Sequence, residues 1–407
     1  MVRFEPRRPL RALGMMLLIV TVGVSREGTT QTALGDDAED ALTQISERLV
    51  EAQARGGAYA PELIDPLTRL SLLYVEDGQH ALAVAAIDQT LQVVRANYGL
   101  HSLEQAPLLR QRIISEESRG NFSEAWQLEQ ELLALARRHP DDLRTAPILH
   151  EIGDKRMELM RSHLAAERPP QVVLGCYYEW PSSSPEGTRN CHGGSREGAA
   201  RQILLEAQRN YAGAIGVLYR QQLYASDELH ALENKLLRNS YASRNYHVGR
   251  RSLVRLVSYD TANSEPLLAR IERLVELADW DLVFAQKTLA LDLYAETYAF
   301  LRREGLPQAK IDEIFSPELP VVVPTFLPNR FAPELAEGAT GYVDVTFDIT
   351  RFGTTRRIRV LDTSGNVSNA AQGRATRWIV ENHFRPRVID GHLADASRVV
   401  ARHYVHE

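Results

Sequence analysis

The chain has 407 residues, a formal net charge of −6, and ordinary proportions of apolar and charged side chains. This length allows two or three domains, and the composition is that of a folded globular protein. The negative net charge argues against nucleic acid as the main partner, because phosphate binding requires a basic surface.

The N-terminal segment, residues 1–30, has the layout of an export signal. Four arginines precede an apolar run from Ala12 to Val24, and an acidic stretch begins at Asp36. The run is shorter than the roughly 20 residues of a comfortable membrane span, and no Ala-x-Ala cleavage site follows it directly. A cleaved signal is expected, with an uncleaved inner-membrane anchor or a cytoplasmic N-terminus as alternatives. We therefore predict that the protein works in the periplasm.

Residues 36–160 carry an internal repeat. Gly78 begins the stretch GQHALA, and Gly120 begins GNFSEA 42 residues later; an alanine follows five positions after each glycine, at Ala83 and Ala125. Each unit predicts a helix, a glycine-containing turn and a second helix. Helix pairs that cannot bury a face alone stack into a solenoid.

This pattern resembles tetratricopeptide (TPR) repeats with the extended period of kinesin light chains. In that family, the glycine lies in the turn, and the small residue five positions later lets the paired helices pack closely. The usual tryptophan and the closing proline of the family are absent here. The resemblance implies a mainly helical solenoid.

A Pro-, Ser- and Gly-rich loop at 165–200 contains both cysteines of the chain, Cys176 and Cys191. In an exported protein, two cysteines in one flexible loop predict a disulfide. Free thiols and a metal site that recruits His192 are the alternatives. Two sulfurs and one adjacent imidazole fall short of a four-ligand zinc site, and no metal or cofactor is predicted.

A second helical region is predicted at 201–305. Apolar spacing indicates one long helix over 201–239, Ser264 is a candidate N-cap for the next helix, and Leu277 to Trp280 are interpreted as the following turn. The tyrosines and leucines near 290 are expected in the core, with a peptide-binding concave face as the alternative. Five prolines in the connector 306–328 predict an extended chain and the clearest domain boundary.

Residues 329–407 predict a small α+β domain with the element order ββαβ. Apolar and polar residues alternate from Tyr342 to Ile349, which indicates a half-buried strand. Gly353 supplies the turn to a second strand, in which Ile358 and Val360 continue the apolar face. A helix follows over 369–383, Phe-Arg-Pro ends it, and a last strand is expected from 399 to 405.

The ordered set of motifs in this domain resembles the C-terminal domain of the TonB energy-transducer family. The matching positions are Gly341, Val343 to Ile349, Gly353, Ala370 to Ala375, Phe384, Pro386, Gly391 and Val399 to Tyr404. The resemblance implies a module that binds outer-membrane receptors, whose N-terminal segment adds as a strand to the sheet. The implied partner-binding residues form the final strand: Arg398, Val399, Val400, Ala401, Arg402, His403 and Tyr404. The family's Tyr-Pro motif is replaced by Phe331-Ala332-Pro333, and its Pro/Lys/Glu-rich spacer is absent.

Catalytic motifs are missing from the sequence. His150-Glu151 begins a zincin pattern, but Asp154 stands where the second histidine is required. The histidines at 383, 392, 403 and 406 are expected on the surface, with metal binding or pH sensing as the alternative. The chain is therefore predicted not to be an enzyme.

The predicted fold is multidomain and mainly α, a TPR-like solenoid followed by a small C-terminal α+β domain. The predicted function is a periplasmic TonB-like adaptor that binds envelope proteins by strand addition and supports outer-membrane transport. Outer-membrane receptors and inner-membrane motor proteins are the candidate partners, and the membrane is contacted only through an N-terminal anchor. The alternative is a TPR-type assembly scaffold without energy transduction.

Overall fold

The computed structural model describes residues 36–165, 172–173, 176–177, 196–316, 319–364, 367–389 and 391–406. Within these ranges the helices are α1 (Asp36–Gly56), α2 (Ile64–Glu76), α3 (His80–Tyr98), α4 (Ala106–Ser118), α5 (Phe122–Arg138), α6 (Thr145–Ala165), α7 (Arg196–Arg220), α8 (Asp227–Ala242), α9 (Tyr246–Ala262), α10 (Leu267–Val283), α11 (Lys287–Arg303), α12 (Gln308–Phe315) and α13 (Asn369–Glu381). The strands are β1 (Val172–Val173), β2 (Cys176–Tyr177), β3 (Val322–Val323), β4 (Gly341–Ile349), β5 (Thr355–Thr363), β6 (His383–Phe384), β7 (Arg387–Ile389), β8 (His392–Ala394) and β9 (Ala396–Val405).

The helices pack as a series of hairpins. The pairs are α2 with α3, α4 with α5, α6 with α7, α8 with α9, and α10 with α11, and the second helix of each pair packs on the first helix of the next. Each hairpin buries apolar side chains between its two helices and against its neighbours. The predicted fold of stacked helical hairpins is confirmed, and the hairpins extend from α2 to α11.

Four of these hairpins share one turn geometry. A residue in the left-handed region joins the two helices, and the next residue donates its N–H to the carbonyl five positions earlier, which is a Schellman motif. The left-handed residues are Gly78, Gly120, Arg244 and Ala285. The 2.8 Å bonds run from Gln79 to Tyr74, Asn121 to Glu116, Asn245 to Ser240 and Gln286 to Asp281. Glycine adopts this backbone without a Cβ penalty, so the sequence signal is visible only in the first two turns.

The small residue five positions after the turn also recurs. It is Ala83, Ala125, Gly249 and Ala290, and three of the four are fully or almost fully buried alanines. At Gly249 the neighbouring helix α10 leaves no room for a side chain, because a Cβ there would lie 2.0 Å from Cζ2 of Trp280. Close helix packing at this position is therefore a property of the fold in all four hairpins.

The second helical region differs from its predicted layout. The single helix expected over 201–239 is wrong: α7 ends at Arg220, and Ser226 caps α8 by accepting the Leu229 N–H at 3.2 Å. Ser264 is not an N-cap; it has a φ of +56° in the turn before α10. The segment Leu277 to Trp280, interpreted as a turn, lies inside α10 and is buried.

The connector 306–328 is also more ordered than the proline content predicts. Helix α12 lies between Pro307, at its N-cap, and Pro317. Pro307 at the N-cap removes no helical hydrogen bond, so this proline is compatible with the helix. Further on, β3 pairs with β6 through Val322 opposite Phe384, so the connector is part of the C-terminal fold.

The main elements of the C-terminal domain, β4, β5, α13 and β9, follow the predicted order ββαβ, and three short strands that were not predicted, β6, β7 and β8, lie between α13 and β9. Its antiparallel sheet has the strand order β5-β4-β9, and α13 packs on one face of it. Val343, Val345 and Phe347 of β4 are buried, as the alternation predicts. Val360 lies opposite the buried Val345 but is itself 39% exposed, so the core does not extend over it.

This domain is docked on the end of the helical array. Val388, with Phe352 and Leu393 beside it, belongs to the core of α10, α11 and α12. Arg385 reaches into the helices and forms a bidentate ion pair with Asp279, which is fully buried. The β7–β8 hairpin and the β4–β5 turn therefore cover the last helical hairpin, at the end of the described array.

Candidate interaction edge of the C-terminal sheet

Strand β9 lies at an edge of the three-stranded sheet. In the strand order β5-β4-β9 it pairs only with β4 among the described residues, from Gly341 opposite Val405 to Ile349 opposite Ala396. The seven residues predicted to bind a partner, 398–404, all lie in this strand. These residues therefore lie in an edge strand, whereas their binding of a partner stays a prediction.

The backbone alternation shows which groups of β9 point away from β4. The Tyr404 N–H donates to the carbonyl of Arg330 at 3.2 Å, and its partner Tyr342 bonds through its backbone to Ser364 on the β5 side. Tyr404 and Tyr342 are therefore a non-hydrogen-bonded pair of the β4–β9 ladder. Because such pairs alternate with hydrogen-bonded ones, the N–H and C=O groups of Val400 and Arg402 also point outward.

The open part of the edge is shorter than the predicted site. At one end, Arg398 has a φ of +55° at a register shift, and its N–H donates to Asp348 Oδ1 at 2.9 Å. At the other end, the carbonyl of Arg330 occupies the Tyr404 N–H. A visiting strand would therefore pair with the central part of β9, around Val400 and Arg402.

Beside these backbone groups, the solvent-facing side of β9 carries one apolar and one basic side chain. Val400 is 60% exposed. The Arg402 guanidinium binds Asp344 through two 2.8 Å hydrogen bonds and lies 3.8 Å above the ring centroid of Tyr342. The hydrogen bond to Asp344 raises the pKa of Arg402. This arginine is held in place and keeps its charge beside the edge.

The opposite edge, β5, is less suited to strand pairing. Its ladder with β4 contains two register shifts, and Arg357 has a φ of +54°. Arg356 and Arg359 add further charge along the strand. Bulges and charged side chains are the usual means by which edge strands avoid pairing. Of the two edges, β9 is the one whose geometry favours addition of another strand.

His403 lies on the core side of β9, so the expectation that it is a surface residue is wrong. It is 7% exposed and packs against Trp378 and Phe331, with ring centroids 5.3 and 6.2 Å away. Neither ring nitrogen has a hydrogen-bond partner within the described part of the chain. Burial lowers the pKa of His403 to about 4, and the charge of Arg330 acts in the same direction. The alternation Ala401, His403, Val405 is the sequence signal that identifies it as inward-facing.

The other predicted sites are placed as follows. His150 and Asp154 contact Lys235, with Nζ–Nε2 and Nζ–Oδ2 distances of 2.6 Å each. The described residues contain no group of three or more His, Cys, Asp or Glu side chains that could hold a metal. Cys176 lies in β2 and Cys191 lies outside the described residues, so the disulfide stays a prediction. The signal or anchor segment 1–30 also lies outside them, and none of the described helices is long and apolar enough to cross a membrane.

No protein-family model and no curated protein matches the chain. Solved structures of low identity do. A kinesin light chain protein of Podosopora anserina with nearly identical TPR-like repeats is 13% identical, covers 60% of this chain and 97% of its own, and has a TM-score of 0.33. A single-residue variant of it is 14% identical, covers 60% and 96%, and has a TM-score of 0.32. BtubC (BKLC) from P. vanneervenii is 12% identical, covers 65% and 92%, and has a TM-score of 0.35.

These likenesses are too weak to assign a function. The helical-repeat organisation is instead seen in the hairpins of the chain itself. The resemblance of the C-terminal domain to the TonB family stays a prediction.

Proposed function

We propose that the protein is a protein-binding scaffold, in which the helical hairpins hold a small sheet domain that captures an extended segment of a partner by strand addition to β9. The observation that carries this proposal is the outward N–H and C=O groups of Val400 and Arg402, at the centre of an edge strand that pairs only with β4 among the described residues. In strand addition, main-chain hydrogen bonds supply affinity and the flanking side chains supply specificity.

The length of the open edge predicts the strength of binding. Two outward residues offer two donors and two acceptors, and each hydrogen bond contributes about 0.5–1.5 kcal/mol net. The total of about 2–6 kcal/mol is smaller than most stable complexes need once ordering of the segment is subtracted. We therefore expect a transient interaction, which is strengthened by contacts of the visiting side chains with Val400 and with the charged Arg402.

The proposed location is the periplasm, and the proposed partners are envelope proteins. Support comes from the export-like segment 1–30 and from the resemblance of residues 329–407 to TonB C-terminal domains. A non-enzymatic role is part of the same proposal. Energy transduction through an inner-membrane motor would also require an uncleaved anchor. Sequencing the N-terminus of the mature protein decides this, because a start between residues 25 and 33 excludes the energy-transducer variant.

Replacement of Val400 by proline tests strand addition at β9. Because the Val400 N–H points outward, Val400→Pro removes an edge donor without breaking a hydrogen bond to β4, a position where proline is tolerated in sheets. Val400→Thr keeps the donor and is the matched control. We expect envelope proteins captured by the wild-type chain to be lost with Val400→Pro and retained with Val400→Thr, at similar thermal stability. Unchanged capture by a folded Val400→Pro variant would contradict the proposal.

A second candidate function is an assembly scaffold in which the sheet domain serves only as the end of the helical array. The interface of Val388, Phe352 and Arg385 with α10 to α12 favours it, because the domain is packed against the helices instead of being tethered. Crosslinks to partners would then concentrate on residues 36–160, whereas strand addition predicts crosslinks from β9.

A further inference from the structure

Strand β5, at the edge opposite β9, exposes more side chains than a regular strand does. In a regular strand, alternate residues point into the core, so two consecutive side chains are rarely exposed together. In β5, Val360 and Asp362 lie opposite two consecutive residues of β4, and Leu361 between them is the extra residue of a bulge. Val360 and Leu361 therefore both face solvent, and Leu361 is 56% exposed.

A second register shift exposes arginines in the same way. Arg359 lies opposite Thr346 and Arg356 lies opposite Asp348, so β5 has one residue more than β4 between these pairs. Arg357 lies in this interval with a φ of +54°, and its side chain is 80% exposed. Arg356 and Arg359 are exposed as well. Three arginines and two aliphatic residues thus face solvent within a short stretch of the strand.

Part of this positive charge has no partner within the described protein. Arg357 Nη1 lies 3.2 Å from Asp348 Oδ2, and Arg356 Nη2 lies 3.6 Å from Asp395 Oδ2. Exposed ion pairs of this kind contribute little to stability, so these guanidinium groups can exchange partners at low cost. The Arg359 side chain forms no hydrogen bond or ion pair with the residues that the structure describes.

Helix α13 continues this surface at its C-terminal end. The Thr355 hydroxyl donates to the carbonyl of Ile379 at 3.1 Å, which holds the last turn of α13 beside the start of β5. The next residue, Val380, is 64% exposed, and Arg377 one turn earlier is also exposed. Together, β5 and α13 contain five arginines and two acidic residues, so the surface that they share is positively charged.

Protection against strand pairing explains the bulges and the arginines of β5, but not its exposed aliphatic side chains. Bulges and charges are sufficient to block an edge, whereas adjacent exposed apolar side chains mark a contact surface. The partner of such a surface must accept both positive charge and apolar groups. An anionic bilayer does so, because its headgroup phosphates attract arginine and its acyl boundary takes up aliphatic side chains. Residues 329–407 are also the basic part of an acidic chain, with 11 arginines and nine acidic residues.

Two other anionic partners fit this surface less well. Single-stranded nucleic acid stacks its bases on aromatic rings, and the described residues of β5 and α13 offer none, because Trp378 packs against the core of the domain. An acidic protein surface would bind the arginines but would have to match each exposed aliphatic side chain with a pocket. A bilayer takes up such side chains at any spacing.

We propose that this surface binds an anionic phospholipid membrane, with the aliphatic side chains at the acyl boundary and the guanidinium groups at the headgroup phosphates. It consists of residues 356–361 of β5 with Arg377 and Val380 of α13, and we call it the β5 surface. Strand β9 lies at the opposite edge of the sheet, so it stays open to a visiting strand while the β5 surface lies on the membrane. The inference does not rest on strand addition.

Vesicle binding by the full chain tests this proposal. The chain is titrated with vesicles of phosphatidylglycerol and phosphatidylcholine in equal parts, and with vesicles of phosphatidylcholine alone, and the bound fraction is measured by co-sedimentation. We expect binding to the anionic vesicles that falls as salt is added, and much weaker binding to the neutral ones. Arg359→Gln should weaken the binding about fivefold, the contribution of one basic residue near an anionic membrane, and Leu361→Gln should weaken it by a similar factor.

Matched controls and a localised readout accompany the titration. Arg251→Gln on α9 and Leu82→Gln on α3 are the controls, because both residues are exposed on the helical array. Circular dichroism confirms that each variant is folded. Hydrogen exchange with mass spectrometry locates the contact, and exchange in residues 355–363 should slow when anionic vesicles are added, whereas exchange in α9 should not.

The outcomes that overturn the proposal are distinct. No binding to anionic vesicles, or equal weakening by Arg359→Gln and Arg251→Gln, excludes the β5 surface. Binding that leaves exchange in residues 355–363 unchanged also excludes it, because the contact then lies elsewhere in the chain. Weakening by Arg359→Gln but not by Leu361→Gln overturns the membrane assignment in favour of an acidic macromolecule. Val400→Pro should leave vesicle binding unchanged, so that failure here and failure of strand addition are told apart.

Discussion

Arg385 is expected to hold the sheet domain on the helical array, and its replacement by methionine tests this. Its guanidinium contacts the fully buried Asp279 at 3.2 Å through Nε and at 2.6 Å through Nη2. Tyr294 also donates its hydroxyl to Asp279. Burial, and then the Asp279 carboxylate, raise the pKa of Tyr294 well above its usual range, so the hydroxyl remains a donor. Arg385→Met would leave the carboxylate buried with this one side-chain donor.

Removal of one partner of a buried ion pair costs about 3–5 kcal/mol, because the other charge stays desolvated. We therefore expect Arg385→Met to lower the free energy of unfolding by about this amount. The double variant Arg385→Met with Asp279→Leu removes the uncompensated charge and is expected to recover most of the loss. Arg387→Met, two residues along, is the control and is expected to change stability by less than about 0.5 kcal/mol.

Urea unfolding followed by circular dichroism measures these differences, and hydrogen exchange with mass spectrometry locates them. In Arg385→Met, amide exchange should rise both in α10 and in residues 383–389, because the ion pair joins α10 to the segment between β6 and β7. A loss below about 1 kcal/mol, or a double variant no more stable than the single one, would refute the reasoning.

Three further predictions concern packing, turns and pH. Gly249→Ala should lower the free energy of unfolding by about 1–3 kcal/mol or more, because the added Cβ overpacks against Trp280. Gly373→Ala is the control: the space around its Cβ position is open, so the alanine should stabilise α13 slightly. Thermal melts compare the two variants. Arg244→Gly should raise the urea midpoint, with a gain of about 1 kcal/mol, because it relieves a left-handed non-glycine residue. His403 has a pKa of about 4 in the folded protein and near 6.5 in the unfolded chain. The unfolded chain therefore takes up a proton first, and the free energy of unfolding falls by up to about 3 kcal/mol as the pH drops from 6.5 to 4. Urea midpoints at pH 7.5 and 4.5 should show a smaller acid loss in His403→Leu, and an equal loss would show that other groups are responsible.

Much of the helical array was predictable because its signals are local. Gly78 and Gly120 meet a requirement of the turn itself, and Ala83 and Ala125 meet the close approach of two neighbouring helices. The same turn at Arg244 and Ala285 escaped prediction, since neither residue type indicates a left-handed backbone. The surrounding packing holds these two residues in the left-handed region and offsets the conformational energy that this backbone costs. The long helix expected over 201–239 failed for a related reason, because Ser226 stops it through a cap that apolar periodicity does not register.

The candidate site divides in the same way. The alternation along β9 identifies a strand and assigns Ala401, His403 and Val405 to its core face. It does not show that Arg330 covers the Tyr404 N–H, or that Asp348 covers that of Arg398. Those contacts join segments more than 45 residues apart in the chain, and they reduce the open edge to its centre.

By itself the sequence determined the repeat register of the first hairpins and the ββαβ pattern, because turns and periodicity depend on neighbouring residues. Only the tertiary structure decided that Leu277 to Trp280 belong to a buried helix, that the connector inserts Phe326 between α8 and α10, and that the sheet domain is joined to the array through Asp279 and Arg385. These features depend on pairs such as Asp279 and Arg385, which are 106 residues apart. A buried charge is stable only opposite a charged partner, and the sequence does not show which distant residue that partner is.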